Sequence, residues 1–521
     1  MLRPLRTNPN REQTSRMKTV PAPVRGWNAR DSVASMKPDD ALLLDNIFPE
    51  ASECVLRGGS SNHRTGGSDA VYSLMAYHGP SGTNKLFAAA GTAIYDVTST
   101  DTSFPSAAVS STTNAQWQHV QVGTSAGQYL ICVNGAVNPQ RYDGSSWVAM
   151  DNTVLTGSAD QTTFIHVHHW KTFVFFVPKD SMSVWYLPAG AVGGSETELP
   201  LGSVFKLGGY LMAMATWTLD AGEGVDDHAV FISSMGEVAV YKGTNPSSAN
   251  TWALVGVWRL GRPIGRRCFH KLGGDLVLLT TDGFVPLSTA LTSDKFNPSV
   301  AISDRIRTAL AESIRLYGSN YGWQPVFYPA APALLFNVPR LSTASAALSY
   351  QYVMNTVTGA WCRFSGWNAY CFELLGDTLY YGGYGVVRKA WTTTGDLGVN
   401  IEGEAKQAFH DYGAPGVLKQ FKMARPTLQT DGDPGLLLAM NVDYRDDDAT
   451  GVLSAGTVGA AVWNGTTWNG STWQGGLTTS SRWAALSSIG TVGALRMKMV
   501  TKDARVRWSA TEVVYERGGI L

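Results

Sequence analysis

The sequence predicts an all-β fold: a β-propeller with six to seven blade-like repeats, a C-terminal β-sandwich-like domain and one or two helices. The first observation is a repeat in which an apolar run, a tight turn and a second apolar run ending in an aromatic residue follow one another. This repeat covers most of the 521 residues, and its turn centres lie near residues 91, 134, 179, 236, 282, 337 and 382. Their spacing of roughly 45 residues is the length of a four-stranded propeller blade.

The second observation is that each repeat predicts a β-hairpin by itself. Residues 129–133 are apolar and turn at Asn134-Gly135, and a later repeat turns at Asp282-Gly283. Asn-Gly and Asp-Gly pairs tolerate the positive φ that twisted hairpins require. One blade cannot bury both of its faces by itself. In a ring of blades, each blade is covered by its neighbours on both faces. A large β-sandwich with irregular insertions is the alternative that this pattern leaves open.

The third observation is the composition. The chain has 55 Gly and 17 Trp but only 16% charged residues, which is typical of turn-rich β structure with interfaces to bury. Lys+Arg and Asp+Glu are both 41, so no net field draws the chain to nucleic acid or to an anionic membrane. Apolar runs fall short of the ~20 residues that a membrane helix needs, and no hydrophobic segment follows the N-terminal basic residues. We therefore expect neither a membrane span nor conventional secretion.

The cysteines are odd in number and widely scattered, and none stands in a CxxC pair. They are Cys54, Cys132, Cys268, Cys362 and Cys371. This pattern argues against a disulfide scaffold and against a zinc site, and it fits reduced core residues in a protein that folds in a reducing cytoplasm.

The N-terminal region divides into two predicted parts. Residues 1–20 are polar and basic without an apolar period, which predicts a disordered basic arm, unless Met17 is the true start of the chain. Residues 21–60 are predicted to form an extended strap followed by a short helix. The helix is expected where Pro38 and two acidic residues precede the short apolar run 41–44.

Residues 61–392 are predicted to form the propeller, interrupted by one longer helix at about residues 302–316. Ser303 is the expected N-cap of this helix and Gly318 its stop. Its apolar face follows helical spacing and is predicted to pack on the rim of a sheet. The residues of that face are Ile302, Ile306, Ala309, Leu310, Ser313 and Ile314.

Residues 393–521 are predicted to form the C-terminal β-sandwich-like domain. Strand-like runs at residues 419–428 and 435–444 flank an Asp-Gly-Asp-Pro-Gly turn, and alternating strands close the chain. Between them, a tryptophan recurs every five residues in a Gly-rich tract that is predicted to be an exposed loop. These tryptophans are Trp463, Trp468 and Trp473.

Three groups of residues could be metal-binding or catalytic sites. For each of them, the sequence favours a role in packing or in a turn. His166, His168 and His169 lack a neighbouring carboxylate motif, so packing or interface roles are expected rather than metal binding. The acidic cluster of Asp443 and residues 446–448 lacks the glycine and the distal glutamate of an EF-hand, which favours a solvated turn.

The third cluster is the segment from Asn355 to Trp361, which resembles the Asp-box turn of sialidase propellers. In such folds this turn locks a blade hairpin, so it supports a propeller without implying catalysis. Motifs of nucleophile elbows, metalloproteases and nucleotide-binding loops do not occur in a fitting context. We predict no catalytic, cofactor-binding or metal-binding residue, no cofactor and no enzymatic activity.

Stretches at the beginning, middle and end of the chain carry a family resemblance. The beginning contains the strap 21–31, with Gly26-Trp27-Asn28, and runs to Arg57-Gly58-Gly59. The middle contains the Asp-Gly-Phe turn, and the end contains the final Tyr-Glu-Arg-Gly-Gly. The stretches are residues 21–31, 45–49, 55–59, 261–265, 276–279, 282–284, 495–500, 506–508 and 515–519. In this order they resemble the tail hub, or nozzle, proteins of short-tailed bacteriophages. Residues 1–16 lie outside the resemblance.

The resemblance implies a structural virion protein in the phage tail, assembled in the host cytoplasm. Such subunits form a ring, typically a hexamer, below the portal and adaptor, and they extend or close the DNA ejection channel. The implied partners are further copies of the chain, the portal-adaptor or connector proteins and tail fibre or needle proteins. DNA would pass without tight binding, because every neutralised phosphate adds affinity through counterion release.

Two other functions stay open at the level of sequence. A carbohydrate-binding propeller would use the three tryptophans of the Gly-rich tract as stacking platforms for sugar rings. A tail-borne glycosidase would need a pair of carboxylates that the fold assembles in space.

Overall fold

The computed structural model describes residues 15–220, 225–290, 300–449, 451–453 and 477–520. The chain divides into two compact units. The propeller unit comprises Gly58–Gly359 and Arg363–Leu397, and the terminal unit comprises the chain up to Arg57, Ala360–Cys362 and the chain from Gly398 onward. The N-terminal strap and the C-terminal region, which the sequence treats as separate segments, are thus parts of one unit. None of the described helices is long and apolar enough to cross a membrane.

The predicted β-propeller is confirmed: six small sheets stand in a ring, numbered here as blades 1 to 5 and blade 7, and strands of a larger sheet lie between the last two. Blade 1 comprises Val71–Tyr77, Lys85–Ala90, Ala93–Asp96 and Ala107–Val109. Blade 2 comprises Gln118–Thr124, Gly127–Val133, Gln140–Tyr142 and Trp147–Ala149. Blade 3 comprises Phe164–Trp170, Phe173–Pro178, Ser183–Tyr186 and Thr197–Pro200. Blade 4 comprises Leu211–Asp220, Val225–Ser233, Glu237–Gly243 and Trp252–Arg259.

The remaining strands complete the ring. Blade 5 has three strands, Phe269–Leu272, Asp275–Thr280 and Gly283–Pro286. The position after it, here called blade 6, is filled by Gln324–Tyr328, Ala333–Thr343, Ala346–Asn355 and Trp361–Ser365, which belong to a larger sheet. Blade 7 comprises Cys371–Leu375, Thr378–Gly383, Val386–Thr393 and, as its outermost strand, Gly59–Arg64. The ring is therefore closed by a strand from the start of the unit.

The blade hairpins turn where the sequence predicts near residues 91, 134, 179, 236 and 282. Gly135 follows the strand Gly127–Val133 with a φ of +71°, a conformation that glycine adopts without steric cost. The turns predicted near 337 and 382 are wrong, because Asn337 lies inside the strand Ala333–Thr343 and Gly382 inside Thr378–Gly383, where each pairs with strands on both sides.

The cores lie between neighbouring blades. Phe175 of blade 3 and Phe231 of blade 4 are both fully buried, and their ring centroids are 6.3 Å apart. Each blade thus buries its face against the next blade.

Among the described residues of the propeller unit, two helices and three 3₁₀ turns stand between the strands. Their bounds are Leu287–Ala290 and Arg307–Tyr317 for the helices, and Pro80–Gly82, Gln161–Thr163 and Asp304–Ile306 for the turns. The longer helix is confirmed, but it begins at Arg307 rather than near residue 302. Ser303 is not its cap, because its hydroxyl accepts the Phe284 N–H of blade 5 at 3.0 Å. The helix packs on blade 6, where Ser313 Oγ lies 2.7 Å from the Tyr352 hydroxyl.

The Asp-box-like segment closes a turn of blade 6, as the sequence predicts. The Asn355 side chain accepts the backbone N–H groups of Val357 and Thr358 at 2.9 and 3.3 Å. Gly359 follows with a φ of +70° and returns its N–H to the Asn355 carbonyl at 2.8 Å. The element is structural.

The terminal unit contains two sheets. The strands of the first are Arg16–Pro21, Ile47–Pro49, Cys54–Leu56, Val417–Thr430, Thr478–Ser481, Ala484–Ala485, Ile489–Gly490 and Val506–Ile520. The strands of the second, within this unit, are Ala41–Asp45, Ile401–Gln407, Gly435–Val442, Gly451–Leu453 and Gly493–Thr501. Fully buried Phe421 of the first sheet lies against Gly493 and Met440 of the second, so the two sheets share a core.

Two N-terminal predictions are corrected in this unit. The short helix expected after Pro38 is absent, because residues 41–45 and 47–49 are strands. The disordered arm predicted for residues 1–20 is wrong for its last residues, because Arg16–Pro21 is a strand that pairs antiparallel with Val506–Ile520. Ala41–Asp45 and Arg16–Pro21 both pair with strands that are distant in the sequence, Ile401–Gln407 and Val506–Ile520. Residues 1–14 lie outside the described residues.

Candidate functional site

A polar cavity of about 300 Å³ lies where the first strands of the blades meet. Blade 2 supplies His119, blade 3 supplies His166 and His168, blade 5 supplies His270, and blade 7 supplies Glu373. The rest of the cavity wall comes from two arginines that precede blade 5 and from residues of blades 1 and 6. They include Arg266, Arg267, Leu74 and Gln324. The propeller thus brings together side chains that are far apart in the sequence.

The two blade 3 histidines are held by the first strand of blade 4. His166 Nε2 donates to the Met214 carbonyl at 2.9 Å, which fixes the tautomer because a carbonyl can only accept. His166 Nδ1 is then an acceptor, and it is buried without a hydrogen-bond partner. His168 Nε2 lies 2.8 Å from Thr216 Oγ1.

Burial keeps His119, His166, His168 and His270 neutral near pH 7. It lowers the pKa of His166 to about 4 and that of His168 to about 3. It also lowers the pKa of His270 to about 4, and that of His119 to about 4 with a further contribution from the charge of Arg267. We refer to these four side chains as the cavity histidines. Their uncharged rings can donate and accept hydrogen bonds.

Glu373 is the carboxyl group of the cavity, and burial raises its pKa to about 8 although the charge of Arg267 opposes that shift. Its Oε2 lies 3.4 Å from His119 Nε2. With a lowered pKa on the imidazole and a raised pKa on the acid, the contact joins two neutral groups near pH 7.

The two arginines have different roles. Arg267 Nη2 donates to the Tyr72 carbonyl at 3.1 Å and to Ser73 Oγ at 2.8 Å, and its Nη1 donates to Gln324 Oε1 at 3.1 Å. These bonds tie blade 1 to blade 6. Arg266 lines the cavity without a hydrogen bond or an ion pair to any residue that the structure describes. Among the described residues that line the cavity, it is the charged side chain without a hydrogen-bond or ion-pair partner.

The predicted absence of a metal role for the histidines remains an expectation, and their placement is now defined. His166 and His168 line the cavity together, whereas His169 lies outside its wall. Within the described ranges, no group of three or more His, Cys, Asp or Glu side chains is arranged to hold a metal ion.

The acidic cluster of the terminal unit forms salt bridges and braces a loop. Asp443 Oδ1 accepts the Thr491 N–H at 2.8 Å, and Asp446 pairs with Lys406 at 2.8 Å and with Arg496 at 3.2 Å. These carboxylates therefore have cationic or N–H partners. Trp463, Trp468 and Trp473 lie outside the described residues.

Sequence reasoning did not identify the other cavity residues. His119, Arg266, Arg267, His270 and Glu373 lie in different repeats, and none forms a local motif. An alignment of the repeats on their turn centres would have indicated them, because His119, His270 and Glu373 each occupy the first strand of a blade. Polar residues at that position of an apolar repeat point to a shared polar site.

No protein-family model matches the chain, and no curated protein matches its sequence. Among solved structures, it is similar to the β-propeller domain of Cps50 (Swd1) from Myceliophteria thermophila, with 12% identity over 64% of this chain and 100% of that one, at a TM-score of 0.37. It is also similar to BBS1N in complex with ARL6DN, with 10% identity over 66% and 99% of the chains and a TM-score of 0.37. A family 43 arabinoxylan arabinofuranohydrolase from Bacillus subtilis has 9% identity over 88% and 96%, at a TM-score of 0.23.

Proposed function

We propose that this chain is a structural virion protein that forms a ring in the tail of a short-tailed phage, as a nozzle or hub below the portal and adaptor. The observation that carries the proposal is the outermost strand of blade 4, Trp252–Arg259. It is eight residues long and exposes large apolar side chains. These are Leu254, Val255 and Val257, which are 44%, 47% and 37% exposed.

Such an edge is unusual for a subunit that acts alone. The outermost strands of blades 1, 2 and 3 are Ala107–Val109, Trp147–Ala149 and Thr197–Pro200, each of three or four residues. Short edges are one way in which proteins prevent strand-to-strand association. The blade 4 edge is longer and carries apolar side chains, which favours coverage by another chain.

The resemblance of the sequence to tail hub proteins supports the same role. In a ring, blade 4 would meet a second copy of the chain, and other faces would contact the connector and the fibre or needle proteins. The net charge of zero suits a channel through which DNA slides, because a strongly basic lumen would hold the phosphates.

A carbohydrate-binding propeller is the second candidate, and the polar cavity at the blade centre favours it. A tail-borne glycosidase is less well supported by this cavity. Canonical glycosidases use two carboxylates about 5 to 9.5 Å apart, and Glu373 is the one carboxylate among the described residues that line it.

Mass and location together test the proposal. Light scattering of the purified protein should give a multiple of the 56.0 kDa chain mass, about six copies in the expected ring. Labelled antibody should mark the tail in negative-stain images of purified virions. A monomer that is absent from every particle would refute the proposal and favour the carbohydrate-binding alternative.

A further inference from the structure

We propose that the central cavity of the propeller is a binding site for a small hydroxylated carboxylate, a sugar acid or a hydroxy acid. This inference is independent of the ring and goes beyond it, since it concerns the inner strands of the blades. It rests on three features of the cavity: buried polar atoms without partners, an excess of hydrogen-bond donors, and a free positive charge.

Two residues that line the cavity each have a buried polar atom without a hydrogen-bond partner among the described residues. Gln118 is 8% exposed and its Nε2 has no acceptor, and His166 is 6% exposed and its Nδ1 has no donor. An unsatisfied buried polar group costs roughly 1 to 3 kcal/mol, so native proteins rarely keep one without a ligand or water. The two residues belong to neighbouring blades, and both line the same cavity. Their unpaired atoms require opposite chemistry, because one donates and the other accepts.

Donors outnumber acceptors among the unused groups. Arg266 and His270 also line the cavity, and neither has a hydrogen-bond partner among the described residues. Arg266 offers up to five N–H donors, and neutral His270 offers one. A carboxylate satisfies several donors at once, and Arg pairs with it through two parallel bonds. The unused acceptors, His166 Nδ1 and the second ring nitrogen of neutral His270, call for a hydroxyl on the same ligand.

The charges agree with an anionic ligand. Arg267 is occupied by its bonds to blades 1 and 6, so Arg266 supplies the available positive charge. The raised pKa of Glu373 leaves that acid neutral near pH 7, so it does not repel an anion there. A cavity of about 300 Å³ is at the lower end of the range for small-molecule sites, which suits a ligand of monosaccharide size or less.

Calorimetric titration of the full chain with glucuronate, lactate and glucose tests the proposal. We expect glucuronate or lactate to bind. Binding of glucuronate would identify the ligand class as sugar acids, and binding of lactate would identify it as hydroxy acids. Glucose should bind at least tenfold more weakly than the better anion. Failure of both anions to bind, or equal affinity for glucose and glucuronate, would refute the proposal.

Two variants assign the binding to this cavity. Arg266→Gln should lower the affinity for the bound anion at least tenfold, and Gln118→Leu should lower it severalfold. Arg262→Gln is the matched control, because Arg262 is exposed, four positions away and outside the cavity wall. Unchanged affinity in the folded Arg266 variant would contradict the assignment.

A pH titration of the affinity gives an independent readout. As the pH rises from about 7 to about 9, Glu373 ionises around its pKa of about 8 and its carboxylate repels the anion. The affinity should fall severalfold, and Glu373→Gln should abolish that fall. The other charged or titratable groups of the cavity wall are Arg266, Arg267, His119, His166, His168 and His270. The four histidines stay neutral over this range, so the ionisation of Glu373 is the change that the titration follows.

Discussion

At the scale of single residues, Gly26 marks a place where the fold leaves no room for a side chain. Its φ is +78°, and a Cβ there would lie 2.5 Å from the carbonyl oxygen of Trp361 and 2.6 Å from its backbone nitrogen. We expect Gly26→Ala to lower the free energy of unfolding by about 2 to 4 kcal/mol, since backbone strain and a backbone clash add. Denaturant unfolding followed by tryptophan fluorescence measures the loss.

Gly413 provides the matched control in the same unit. Its φ is +74°, but no atom lies within 4 Å of a Cβ placed there. Gly413→Ala should therefore cost only the strain of the left-handed backbone, about 1 kcal/mol. Equal losses in the two variants would show that the close approach to Trp361 contributes nothing.

Single residues also show what the sequence can and cannot predict. The prediction of reduced core cysteines holds, because all five are free and buried. The cavity was not foreseen, because His119 and Glu373 touch at 3.4 Å only after the ring has closed. Burial, which shifts their pKa values, is a property of the folded ring and has no local sequence pattern.

At the scale of elements, the closing strand of blade 7 depends on one carboxylate. Asp396 Oδ1 accepts the Ser60 N–H at 3.0 Å, the Ser60 hydroxyl at 3.1 Å and Trp367 Nε1 at 3.2 Å. Asp396→Ala would leave these buried donors unsatisfied, so we expect a loss of about 2 to 4 kcal/mol in the free energy of unfolding. Asp377→Ala, at an exposed turn of the same blade, should change it by less than about 0.5 kcal/mol. Comparable shifts in the two unfolding midpoints would contradict this role.

The elements that the sequence predicts well are those that are complete within a short segment. The blade hairpins and the helix Arg307–Tyr317 carry their own periodicity and turn residues. The strand Ala41–Asp45 does not, because it pairs with Ile401–Gln407 from the far end of the chain. A Pro and acidic residues ahead of a short apolar run therefore resembled a helix start, and long-range pairing decided otherwise.

The apolar edge of blade 4 makes a prediction about assembly. Val257→Lys should weaken association at least about tenfold, because a lysine on an edge strand opposes pairing and its burial costs more than 1.4 kcal/mol. Val357→Lys is the matched control, since Val357 is 76% exposed in the turn that follows Asn355. Light scattering should show a smaller mass for the first variant only. An unchanged mass for Val257→Lys would exclude this edge from the ring contact.

At the scale of the whole molecule, the balance of charge predicts weak contact with DNA. Lys+Arg and Asp+Glu are both 41, so the chain as a whole has no net positive charge to attract phosphates. Anisotropy of a labelled duplex should give a Kd no tighter than the non-specific range of about 10⁻⁴ to 10⁻⁶ M, with a shallow dependence on salt. A tighter Kd with a steep salt slope would reveal a concentrated basic surface. It would contradict a channel through which DNA slides, because each phosphate contact would slow its passage.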